Sequence, residues 1–90
     1  MPLFFFDVTD GEFQPDLVGT ELADTAAARV HAVNLCGRLL KSNQAKFWKG
    51  EEWLIEVKDD IGLALFTLVF MARDSPVTRS DRARPSTSVL

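Results

Sequence analysis

Residues 53–70 read WLIEVKDDIGLALFTLVF, and this stretch decides the fold. Trp53, Ile55 and Val57 alternate with Leu54, Glu56 and Lys58, the period-two pattern of a strand with two unlike faces. Asp59-Asp60-Ile61-Gly62 then turns the chain, with Gly62 suited to a positive φ. Leu63 to Phe70 returns, so the segment is a β-hairpin. Trp53, Ile55 and Val57 are expected to face the core, with Phe66, Leu68 and Phe70 beside them.

Upstream, Leu3 to Val8 reads as a further strand that ends at Thr9-Asp10-Gly11, where Asp-Gly signals a turn. Phe4, Phe6 and Val8 share one face, and Leu3, Phe5 and Asp7 the other. Residues 12–23 are punctuated by Pro15 and Gly19, with room for a short extra strand at Leu17-Val18 and Glu21-Leu22.

Between these strands lies a helix. Asp24 is a natural N-cap, residues 25–41 contain no proline, and Lys41-Ser42-Asn43 is the exit. At about 100° per residue, Ala28, Ala32, Leu35, Cys36 and Leu39 cluster on one side. His31, Asn34, Arg38 and Lys41 form a polar strip. The flank carrying Ala26, Val30, Val33 and Leu40 is apolar as well, wider than one sheet contact needs. Gly37 inside the helix admits close approach of another backbone.

The fold class is therefore α+β. A small antiparallel sheet, made of the N-terminal strand and the C-terminal hairpin with room for a short extra strand, packs on one α-helix. Residues 1–72 make the single domain, and residues 73–90 read as a polar, disordered tail.

Composition agrees with one modest core. The chain has 90 residues, 47% of them hydrophobic, and its one cysteine excludes an internal disulfide. A lone thiol suits a reducing compartment, and no signal peptide is visible, so a soluble cytoplasmic protein is expected. The apolar run Leu63 to Ala72 is far short of the roughly 20 residues that span a bilayer. The net charge of −3 divides into −5 for residues 1–71 and +2 for residues 72–90. An acidic body argues against nucleic acid as the main ligand of the fold, whereas Arg79, Arg82 and Arg84 make the tail basic.

The opening MPLFFFDVTDGE, the stretch GTELADTAAAR and the hairpin EEWLIEVKDDIGLALFTLVF together resemble a family of small bacterial proteins, domain of unknown function 6894. The resemblance covers about residues 1–70. It implies a strand–helix–hairpin fold and a bacterial cytoplasmic setting, and brings no catalytic residues. Members often carry Pro at the position of Val69.

Catalytic patterns are missing. The only histidine, His31, precedes Cys36 by five positions, about 140° around the helix, so the two form no dyad. Cys36 reads as a core thiol and His31 as a solvated residue. Asp7, Asp10 and Glu12 lack the spacing of a calcium loop, and Gly11, Gly19 and Gly50 stand outside any phosphate-binding motif. No enzyme, cofactor or metal is expected, with a carboxylate-based hydrolase kept only as a residual option.

Two functions compete. The first is a non-enzymatic interaction module that self-associates or binds another protein. Its candidate surface is Phe5, Leu54 and Leu65 on the second sheet face, Val30 and Val33 on the helix, and Trp48 in the loop Lys46-Phe47-Trp48-Lys49. Either Phe47 or Trp48 is expected to lid the core. The second is a small regulatory or nucleic-acid-associated protein, with Arg38, Lys41, Arg79, Arg82 and Arg84 contacting an anionic partner. Lys46 and Lys49 would extend that basic patch, and Ser88-Val89-Leu90 resembles a C-terminal capture motif only weakly. No membrane contact is expected.

Overall fold

The computed structural model describes residues 1–75. The order is β1 (Leu3–Thr9), β2 (Phe13–Gln14), β3 (Thr20–Glu21), α1 (Thr25–Ser42), α2 (Gln44–Phe47), β4 (Trp53–Lys58) and β5 (Ala64–Phe70). The strands form one five-stranded antiparallel sheet in the order β2-β1-β4-β5, with β3 also paired to β1. The small α+β fold expected from the hairpin and the helix is the one observed.

β1 lies inside the sheet, with the short strands β2 and β3 along one edge and β4 along the other. β4 pairs with it from Phe5↔Lys58 to Thr9↔Leu54. Phe4, Phe6 and Val8 meet Ile55 and Val57 in the core. Full burial of a side chain such as Ile55 contributes about 1.5–3 kcal/mol. Asp59 builds the hairpin turn by accepting the backbone N–H groups of Ile61 and Leu63, and Gly62 takes φ 88°.

Helix α1 starts where Asp24 accepts the Ala27 N–H at 2.9 Å. It meets the sheet through Ala28 and Ala32, both fully buried, whose small side chains bring the helix axis close to the strands. Leu35, Cys36 and Leu39 pack around that contact. After Asn43 the chain forms α2, a turn of helix where the sequence pattern suggests a loop. Phe47 at its end covers the fully buried Trp53, ring to ring at 5.2 Å, and also reaches Phe70. Phe47 is thus the lid, and Trp48 points outward.

Three expectations change. Leu65 was placed on the second sheet face, but it packs against the core. Val57 pairs with Phe66 while Lys58 pairs with Ala64, so Leu65 is the extra residue of a bulge and the alternation breaks there. His31 was placed in solvent, yet it is half-buried, with its ring 4.7 Å from that of Phe6. The extra strand was expected at Leu17-Val18 and Glu21-Leu22; Glu21 does pair, as part of Thr20–Glu21, but Leu17-Val18 does not, and Phe13–Gln14 pairs instead.

Among the described residues, no helix is long and apolar enough to cross a membrane. Arg79, Arg82 and Arg84, and the Ser88-Val89-Leu90 terminus, lie outside the described residues.

Candidate functional site

The polar chemistry of the fold collects where β1 loses its neighbour. β2 and β3 pair with the two ends of β1, and residues 15–19 between them bow away from its middle. A β1 amide there would lack a strand partner. Asp16 fills the gap, with its Oδ2 accepting the Phe6 N–H at 3.0 Å. Its Oδ1 accepts from Val18 and Gly19, both at 3.0 Å, which closes the loop into a tight turn. Burial pushes the Asp16 carboxyl up, but the N–H groups of Gly19, Phe6 and Val18 and the nearby His31 outweigh it, and the net displacement is downward.

Asp7 extends the cluster. It is only 3% exposed, a position carboxylates rarely occupy unpaired. Its Oδ1 accepts the Asp16 N–H at 2.9 Å, and its Oδ2 lies 2.7 Å from the Lys58 ammonium. Asp7 hydrogen-bonding and charge, with a smaller contribution from Glu56, hold the Lys58 ammonium above its ordinary range despite some desolvation. A second pair lies past the turn, where buried Asp10 accepts from Gln14 Nε2 at 3.1 Å and stands 3.6 Å from Lys46 Nζ.

Each of these carboxylates is engaged by the fold. Asp16 is held by backbone, Asp7 by Lys58 and a backbone amide, and Asp10 by Gln14 and Lys46. The half-buried Cys36 thiol is pushed up by burial, which makes it a poorer nucleophile. Among the described residues no three His, Cys, Asp or Glu side chains converge on a metal position.

The apolar surface is the more informative part. Val30 and Val33 on α1 are 62% and 60% exposed, and Trp48 is 60% exposed. Phe5 and Leu54 lie on the second sheet face as expected and are half-buried. Gly19 roofs part of that face: a Cβ there would stand 3.0 Å from both Leu3 Cγ and Phe5 Cε2. Residues 15–19 therefore cover the Phe5 end. The other end stays open, because Phe13, Thr9, Leu54 and Val69 pair in one cross-strand row. Phe13 and Val69 in that row are 62% and 56% exposed. The reading of the sequence missed Phe13, whose place two residues beyond the Asp-Gly turn was the available signal.

The candidate basic patch is smaller than expected. Arg38 and Lys41 are exposed on α1, but Lys46 is drawn to Asp10. Lys49 is exposed beyond α2. Arg29, exposed on α1, lies 5.8 Å over the Phe66 ring.

No curated protein and no solved structure matches the chain. A family does, and its match runs further than the resemblance noted in the sequence, from residue 3 to residue 81. The strand, the capped helix and the hairpin are thus the body of that match, and the chain belongs to the family described as domain of unknown function DUF6894.

Proposed function

We propose that the protein is a non-enzymatic interaction module that self-associates, acting in a bacterial cytoplasm. One observation carries the reading: apolar side chains point outward from both layers of the fold. Val30 and Val33 do so from the helix, and Phe13 and Val69, on either side of the half-buried Leu54, from the sheet. A small domain has a thin stability margin, and exposed apolar groups at regular spacing on two elements are more than the scattered singles of an ordinary surface.

The chemistry of the polar cluster supports the same reading. Asp7, Asp10 and Asp16 spend their hydrogen bonds on β1 and its turns. They stabilise the framework that displays the apolar surface. The nucleic-acid alternative depends on Arg79, Arg82 and Arg84, outside the described residues, and the capture of Lys46 by Asp10 weakens its folded-domain half.

Light scattering on the full chain, from low to high micromolar concentration, tests the proposal. Mass rising toward twice the monomer value is the expected result. A monomeric mass throughout the series overturns it.

A further inference from the structure

The helix is apolar on two nearly opposite sides. Taking Ala28 as the origin and about 100° per residue, the core contacts Ala28, Ala32, Leu35 and Leu39 lie within about 40° of one another's centre. Ala26, Val30, Val33, Gly37 and Leu40 centre at about 160°. Their spacings of four, three, four and three residues are those of a coiled-coil seam. The first four are exposed, and Leu40 is half-buried. At Gly37 a Cβ would have nothing within 4 Å among the described residues.

Resting on the self-association proposed above, we infer that this seam docks on the α1 seam of a second copy, antiparallel, with the twofold axis at Val33. Three properties of the row select that occupant. The first is size. Turning the row end for end about Val33 sets Ala26 against Leu40 and Val30 against Gly37, so on either side of the axis a bulky residue meets a small one. Val33 meets its own copy. A Val knob over an open Gly position is the packing that lets two helices approach closely.

The second property is charge. The same rotation keeps the two Lys41 ammonium groups at opposite ends of the dimer. It also sets the two helix dipoles antiparallel. A parallel arrangement would bring the two Lys41 ammonium groups to the same end. Arg29, on the flank of the seam, is already turned onto the Phe66 ring.

The third is extent. The 18 residues of α1 span roughly 27 Å at 1.5 Å per residue. A single-seam contact of that length lies at or below the roughly 1,200 Å² lower bound of standard interfaces. The dimer is accordingly reversible and concentration-dependent.

Sedimentation equilibrium of the full chain and two variants tests this. Val33→Glu places two carboxylates on the twofold axis, and Val69→Lys charges the open sheet face. Both positions are exposed, so both variants keep the fold, which circular dichroism checks. The expected result is a dimer for the wild type and for Val69→Lys, and a monomer for Val33→Glu, with at least a tenfold weaker association.

A dimer that survives Val33→Glu overturns the helix seam. If it then dissociates in Val69→Lys, self-association stands and the sheet face is its site. A wild-type monomer at every concentration overturns both readings. Orientation is read by cysteine cross-linking in a Cys36→Ala background. Val33→Cys gives a covalent dimer and Val30→Cys does not, and efficient linkage of both overturns the antiparallel arrangement.

Discussion

The carboxylate of Asp16 stands beside the Phe6 amide, 3.0 Å from its nitrogen, in the place a neighbouring strand would take. One side chain thereby repairs the sheet where residues 15–19 depart from β1. The same carboxylate holds Val18 and Gly19, so the loop that roofs Leu3 and Phe5 hangs on Asp16. Its replacement should be felt throughout the N-terminal half of the fold.

Asp16→Ala leaves the Phe6 amide and two loop amides without their acceptor. The expected loss is about 2–3 kcal/mol, since hydrogen bonds to a charged group contribute about 1.5–3 kcal/mol. Urea unfolding followed by circular dichroism measures it. A loss below a few tenths would show that water replaces the carboxylate freely.

Acid titration gives the sign of the same interaction. Burial raises the Asp16 carboxyl, the three amides and His31 lower it further, and its folded-state value lies below the ordinary 3.8. Its contribution is therefore present above that ordinary value and fades as pH falls through the folded-state value. In Asp16→Asn the acid limb of the stability profile should flatten. Thermal melts from neutral to acid pH compare the two.

Lys58 behaves in the opposite sense. Its ammonium is held above the ordinary 10.5 by Asp7 hydrogen bonding and charge. The contribution is complete below that value and is lost as pH rises through the folded-state value. Lys58→Met should lower Tm at neutral pH, because Asp7 then stays buried without its counter-ion. Lys58→Met with Asp7→Leu should be less destabilised than Lys58→Met alone, a non-additivity that a double-mutant cycle reads directly.

Two glycines should respond in opposite directions. Gly19 has φ 83° and sits against Leu3 and Phe5, so Gly19→Ala should cost about 1–3 kcal/mol. Gly37 lies in the helix with open space around it, so Gly37→Ala should add about 1 kcal/mol in dilute, monomeric protein. For a domain of this size that is a rise of about 4–8 °C in Tm.

Phe47→Ala removes the lid from Trp53. In a Trp48→Phe background, Trp53 emission should shift to the red, with about 2–3 kcal/mol of stability lost at this half-buried site. Unchanged emission would show that Trp53 is shielded by Phe70 and the strands without Phe47.

Much of the framework was legible because periodicity reports it directly. Trp53, Ile55 and Val57 alternate and are buried, and Asp24 caps the helix it was expected to cap. Leu65 was misplaced because a bulge changes the side-chain period by one residue, and no local pattern announces it. His31 was misplaced because its polarity suggested solvent, while its ring contact with Phe6 is a property of the packed pair. The apolar flank at Val30 and Val33 was visible in the sequence. That it stays uncovered among the described residues was not.

Local order and its signals therefore belong to the sequence alone: one sheet, one long helix, the hairpin turn at Asp59–Gly62, and family membership. The tertiary structure decided which charges are paired and which apolar groups are left over. Asp7 and Lys58 are separated by half the chain, and Phe13 meets the row of Leu54 and Val69 only across β1. Such contacts join residues whose distance along the chain carries no information about their distance in space. Only the strand register and the path of residues 15–19 bring them together.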